Sequence, residues 1–323
     1  MNANVNANAE LVDFVTAAPT TGSLDVAWHH GAPSKRRAAA EAPIQIHRYD
    51  EHTVILRQSK TLNYEAPFIF LLFGNERALL LDTGATEDPA AFPLRATVDD
   101  LVAAWLAEHP REEYGLVVAH THAHGDHVAA DGQFADRPAT TVVGHDEDAV
   151  RAFFGFGEQW HTETVTFDLG GRVLDVLGTP GHHATAITLY DRWTGILFTG
   201  DTILPGRLYA SDFTAFLATT NRLVDFAAAH AVTHVLGCHI EMKRRPRRDY
   251  PLGATYQPDE CALEFTPRHL TVIRDAAASV AAEPGVHAFD DFIIYNEPTK
   301  ADARRLLARA RFHQFRTKVW PFG

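Results

Sequence analysis

Leu116-Val117-Val118-Ala119-His120-Thr121-His122-Ala123-His124-Gly125-Asp126-His127 runs from an apolar strand straight into a dense group of imidazoles and a carboxylate. From His122 to His127, four potential metal ligands fall within six positions. In an extended chain residues two apart share a face, so His122, His124 and Asp126 are expected to converge on one side. Gly125 gives the backbone room to turn, and a helix starting near Asp126 would swing His127 towards the same pocket. Imidazole mixed with carboxylate suits zinc, iron, manganese or nickel. The bland alternative, a polar loop, leaves the later ligand candidates unexplained.

The flanking sequence is patterned for an α/β fold. Thr53 to Leu56, Phe68 to Phe73 and Ala78 to Leu81 are short apolar or β-branched runs between polar turns, as strands require, and Asp82-Thr83-Gly84 closes the third. Leu94 to Ala107 carries Val98, Leu101, Val102 and Leu106 at helical spacing. Downstream, Arg172 to Leu177, Ala186 to Tyr190, Gly195 to Phe198 and Val232 to Leu236 read as strands, with a helix over Asp212 to His230. Residues 1–42 lack periodicity and are expected to form a mobile arm. Residues 43–266 are expected to form the domain that carries the histidine cluster, and residues 267–323 a mainly helical extension with a basic amphipathic segment from Ala301 to Phe312.

Composition narrows the function. Of 323 residues, 46% are hydrophobic and 22% charged, which fits a packed globular protein. A net charge of -12 disfavours broad attraction to nucleic acid or anionic lipid. Two cysteines, Cys238 and Cys261, make no disulfide framework, and the first twenty residues hold neither Lys nor Arg nor a sustained apolar run. The expected location is therefore the cytoplasm, with no membrane partner.

One segment cannot complete the coordination of two metals. His182 follows a glycine and proline turn after the strand ending at Leu177; Asp201 and His239 each stand just after an apolar run. With these residues in view, the chain resembles the metallo-β-lactamase fold superfamily, whose His-x-His-x-Asp-His motif is matched from His122 to His127. The resemblance spans roughly Thr53 to His239 and implies an αββα four-layer sandwich with the site at the sheet edge. It implies His122, His124 and His182 on one metal, Asp126, His127 and His239 on the other, and Asp201 bridging the two. An aspartate at 201 is more similar to glyoxalase II and related hydrolases than to the lactamases that carry cysteine there. The stretch from Leu204 to Tyr209 differs from the glyoxalase II pattern, so the substrate stays open.

The expected function is that of a dinuclear metallo-hydrolase. Two divalent transition-metal ions, zinc first and iron or manganese as alternatives, would hold a bridging hydroxide that cleaves a small ester, lactone, thioester or phosphoester. Asp126 and Asp201 are the catalytic candidates; Arg207 and Tyr209 are substrate-binding candidates, as donors to an oxyanion or a substrate carboxylate. Asp82 is expected either to orient a ligand histidine or only to shape a turn. Tyr64 lines the mouth or packs, and His120, His145, His183, His230 and His234 read as surface or turn histidines, with His183 the best placed to support a ligand. Lys243, Arg244, Arg245, Arg247 and Arg248 form a basic run; facing the pocket, it would favour an anionic small molecule. The rival functions are a mono-iron persulfide dioxygenase of the same fold and a nucleic-acid-processing enzyme.

Overall fold

The computed structural model describes residues 10–16 and 22–319. Short α1 (Lys35–Ala38) precedes β1 (Ile44–Asp50), β2 (Thr53–Gln58), β3 (Phe68–Phe73) and β4 (Arg77–Leu81). Then come α2 (Leu94–Glu108), β5 (Gly115–Ala119), α3 (Gly125–Val128), β6 (Thr140–Val142) and α4 (Glu147–Phe154). The second half holds β7 (Thr164–Asp168), β8 (Val173–Gly178), β9 (Ile187–Asp191), β10 (Ile196–Gly200), β11 (Arg207–Ala210), α5 (Phe213–Ala229), β12 (His234–Gly237) and β13 (Glu264–Phe265). The chain ends with α6 (Pro267–Ser279), β14 (Gly285–Ala288), β15 (Ile293–Asn296) and α7 (Lys300–Val319).

Two six-stranded sheets, ordered β1-β2-β3-β4-β5-β6 and β13-β12-β10-β9-β8-β7, are stacked by side-chain alternation. In β3, Phe68, Phe70 and Leu72 enter the core between the sheets, where Val176, Leu189 and Phe198 of the second sheet meet them. Ile69, Leu71 and Phe73 point the other way, onto Leu94, Val98, Leu101 and Trp105 of α2. The second sheet repeats this: Leu177, Leu197 and Val235 turn outward against Phe216 and Leu223 of α5 and Ile273 of α6. Strands buried on both faces read as continuous apolar runs. The result is the expected α/β sandwich of four layers.

Between α6 and α7 the expected helical extension contains a hairpin. Its β15 pairs parallel with β11, from Arg207 opposite Ile293 to Ala210 opposite Asn296, making a separate three-stranded sheet. The run Ile293-Ile294-Tyr295 has strand propensity, but its partner lies some eighty residues back, so local pattern does not reveal the pairing. Of the expected arm, residues 1–9 and 17–21 lie outside the described residues. Its remaining parts lie on the domain: Trp28 meets Phe68 edge-on at 4.9 Å, and the His30 carbonyl accepts from Gln257 N at 2.8 Å. Among the described residues no helix is long and apolar enough to cross a membrane.

Candidate metal centre

Four strand ends converge. β10 and β12 are parallel, and β8 shares their direction through antiparallel β9, so the segments that follow β8, β10 and β12 emerge at one end of the second sheet. These segments carry His182, Asp201 and His239. From the first sheet, β5 delivers Thr121, His122 and His124, and α3 carries Asp126 and His127. Gly200 (φ 54°) makes the approach possible: a Cβ there would lie 2.6 Å from Thr121 Cβ.

All seven candidate ligands come together, in two sets. His122, His124 and His182 form one; Asp126, His127, Asp201 and His239 form the other, each set having its donor atoms within 4.8 Å of one another. The alternation argument therefore holds for His122 and His124 but not for Asp126. The chain leaves the extended form at His124, which caps α3, and Asp126 joins the second set from the helix. His124 Nδ1 lies 2.9 Å from His122 Nε2 and 3.0 Å from His182 Nε2. Asp201 spans the sets, with Oδ2 3.9 Å from His182 Nε2, and Oδ1 3.6 Å from His127 Nε2 and 3.4 Å from His239 Nε2.

Hydrogen bonds behind the ligands aim them inward. His127 Nδ1 donates to Asp82 Oδ2 at 2.9 Å, His182 Nδ1 to the Tyr209 carbonyl at 3.0 Å, and His239 Nδ1 to the Glu65 carbonyl at 3.0 Å. Each bond fixes the tautomer that leaves Nε2 bare towards the centre. His122 Nδ1 donates to Thr121 Oγ1 at 3.2 Å, and that hydroxyl donates onward to Asp82 at 2.9 Å. Asp82 is thus an orienting carboxylate.

The donor set fits metal cations. His122 and His182 both turn a bare Nε2 towards His124 Nδ1, gathering three imidazoles within 3.0 Å, and Asp201 Oδ1 is buried without a hydrogen-bond partner, an arrangement that suits a cation. Electrostatics agree. Burial opposes charge on Asp201, yet His239 and His127 hold its carboxyl well below the usual range; Asp126, also opposed by burial, is drawn by the same histidines to about 2. Against burial, Asp201 and Asp126 lift His239 to about 9, and Asp82 with Asp201 lifts His127 well above 6.5. Burial, seconded by neighbouring imidazoles, depresses His122, and burial likewise lowers His182. The second set draws positive charge, whereas His122 and His182 of the first are pushed towards the neutral form.

The centre opens into a cavity of about 780 Å³, lined by Leu204, Tyr209, Leu252, Tyr295 and Pro298 together with Glu65 and Glu241. Tyr209 lines it, with Tyr295 of the C-terminal hairpin packed on its ring at 4.5 Å. Arg207 also reaches the wall, but its guanidinium is engaged inside the protein, donating to Glu241 Oε1, to Asp249 Oδ2 at 2.9 Å from Nε, and to the Tyr250 carbonyl. The basic run does not line the cavity. Lys243 lies over the Tyr250 ring at 4.4 Å, Arg244 Nε donates to the Glu260 carbonyl, and Arg247 pairs with Asp290 at 3.5 Å. His183 edges His124 at 4.8 Å, whereas His120 and His145 share Asp131 at 2.9 and 2.7 Å. Glu65 and Glu241 escaped the sequence reading, since neither belongs to the motif and only the fold brings them to the mouth.

Residues 64–255, more than half of the chain, match the family described as the metallo-beta-lactamase superfamily. The chain is 34% identical over 141 residues to a hydroxyacylglutathione hydrolase of Synechococcus sp. (strain JA-2-3B'a(2-13)), a match covering 43% of this chain and 50% of that one. It is 29% identical over 228 residues to the hydroxyacylglutathione hydrolase of Thermosynechococcus vestitus (strain NIES-2133 / IAM M-273 / BP-1), covering 67% of this chain and 78% of that one. The hydroxyacylglutathione hydrolase of Rhizobium meliloti (strain 1021) is 30% identical over 112 residues, with 32% and 41% covered. The chain spans about half the length of the first and third of these relatives. Among solved structures, the metallo-beta-lactamase FIM-1 from Pseudomonas aeruginosa in its mono-zinc form superposes with a TM-score of 0.51 at 15% identity, over 78% of this chain and 100% of that one, a likeness of fold. With the match over residues 64–255, the chain belongs to the metallo-beta-lactamase superfamily.

Proposed function

We propose that this protein is a hydrolase of small acyl compounds, thioesters first among them, working with two divalent transition-metal ions, most simply zinc. The observation that carries this reading is Asp201, whose two oxygens face the two donor sets and one of which is a buried acceptor without a hydrogen bond. His122, His124 and His182 would hold one ion; Asp126, His127 and His239 the other, with Asp201 shared. When bound, such ions lower the pKa of water and polarise the scissile oxygen. Asp126 and Asp201, held ionised by the neighbouring histidines, orient the attacking water by accepting its hydrogen bonds. Leu204, Leu252, Pro298 and the two tyrosine rings receive the acyl group and exclude solvent from it. Burial, with Glu241 adding to it, raises the Tyr209 phenol far above its ordinary pKa, so it stays a donor, able to hydrogen-bond the scissile oxygen. The likeness to hydroxyacylglutathione hydrolases supports the thioester class.

The test is a panel of ester, lactone, thioester and phosphoester substrates on metal-quantified protein, run once in labelled water without dioxygen and once in ordinary water under labelled dioxygen. Turnover of an acyl compound with solvent label in the product is expected. Label from dioxygen, with activity depending on one iron, would overturn the proposal.

A further inference from the structure

A second cavity of about 490 Å³ adjoins the metal-centre cavity, and His183, Ala184 and Ser211 line both. It is lined by the turn from Pro180 to Gly181 that leads into His182 and by the α5 face carrying Thr219 and Arg222. This face is held tightly on the turn: Thr219 Oγ1 donates to the Pro180 carbonyl at 2.7 Å, and a Cβ on Gly181 (φ 134°) would lie 2.5 Å from Phe216 Cα.

Arg222 is the cation of this chamber. One Nη donates to the Gly178 carbonyl; Nε is buried without a hydrogen-bond partner, and among the described residues no carboxylate lies within ion-pair distance of the guanidinium. Arg207 and Arg192 are raised by their carboxylates, whereas burial alone acts on Arg222 and lowers it. Glu147 and Asp212 also line the chamber, but Glu147 pairs with Arg151 at 3.6 Å and Asp212 caps α5 through Ala215 N at 2.9 Å. The other Nη carries the donors that Gly178 and burial leave available, and a half-buried guanidinium of this kind suits a carboxylate.

We propose that this chamber is the subsite for a carboxylate-bearing end of the substrate, with Arg222 as the residue that binds it. The inference rests on the hydrolase reading for its role in turnover, though the anion site stands without it. A substrate would lie across the His183–Ser211 saddle, its neutral acyl portion against Leu204 and Tyr295 and its anionic end at Arg222.

Binding is tested by titrating the metal-loaded protein with hexanoate and hexanamide. Wild-type protein should bind hexanoate about ten-fold more tightly than the amide, the preference falling away in Arg222→Met and surviving in part in Arg222→Lys. Metal content, measured on each variant, should be unchanged. Equal binding of acid and amide by wild-type protein, or a preference that Arg222→Met leaves intact because the acid sits on the metals, overturns the subsite. For turnover, acetyl thioesters of ω-mercaptocarboxylic acids are compared with those of the matching amides. A preference for the acid in kcat/KM, lost in Arg222→Met, is expected. Failure of every thioester, and of the ester and lactone panel with them, while Arg222-dependent hexanoate binding stays intact, would sink the hydrolase reading alone.

Discussion

Asp82 Oδ2 lies 2.9 Å from His127 Nδ1, and the same buried carboxylate accepts from Thr121 N at 2.7 Å, Thr121 Oγ1 at 2.9 Å and Cys238 Sγ at 3.2 Å. It holds this position with φ at 71°, a conformation that costs a non-glycine residue about 1 kcal/mol or more. Four donors on one carboxylate tie the end of β4 to the motif loop and to the residue before His239. The network defines which nitrogen of His127 faces the centre.

Asp82→Asn keeps the shape but replaces two acceptor oxygens by one and adds an amide donor. Removing such an outer partner of a ligand histidine lowers metal affinity by about 10- to 100-fold. A competition titration against a chromophoric chelator should show that loss with the fold intact by circular dichroism. Unchanged affinity would reduce Asp82 to a turn residue.

Metal occupancy should carry stability as well as activity. A ligand at 100 times its dissociation constant stabilises the folded state by about 2.7 kcal/mol, so chelation should lower Tm and added zinc should restore it. His122→Ala and Asp201→Ala, from the two donor sets, should each lower metal content from two towards one per chain. Full activity at one ion or fewer, or a Tm indifferent to chelation, would remove the dinuclear reading.

The two-sheet core was readable because β3, β4 and β5 are buried on both faces and so appear as uninterrupted apolar runs. His182, Asp201 and His239 were readable because each ends such a run. Arg207 was misleading for a physical reason: sequence shows that it follows Asp201, but not that Glu241 and Asp249 fold back onto it. Arg222 was hidden differently. It occupies one position of an amphipathic helix, and nothing local to α5 says that its neighbours leave it without a counter-ion.

Arg207 accordingly tests as a fold residue. With Glu241 and Asp249 it forms a buried ionic cluster, and Arg309 of α7 adds a further bond to Asp249, pinning the C-terminal helix beside the cavity wall. Removing one partner of a buried pair costs about 3–5 kcal/mol, because the other charges stay behind uncompensated. Arg207→Met should therefore shift the urea midpoint strongly. A variant of native stability with only KM raised would return Arg207 to substrate binding.

The last expectation concerns pH and a histidine remote from the metals. His52 is buried between Phe14, Trp105 and Trp193, and its Nδ1 accepts from Trp105 Nε1 at 3.1 Å. Burial pulls its pKa down to about 4 despite Glu51, with Arg172 and His109 pushing the same way as burial. The unfolded chain, titrating near 6.5, binds the proton more readily than the folded one. Stability from neutral His52 is thus complete above pH 6.5 and lost as pH falls from there through 4, by at most about 3 kcal/mol. His52→Gln retains an acceptor for Trp105 without titrating. Urea unfolding at pH 7 and pH 4.5 should show wild-type protein losing more stability on acidification than the variant, in protein matched for metal content. Identical losses in the two proteins would mean that His52 takes up its proton as easily folded as unfolded, and that acid sensitivity arises elsewhere.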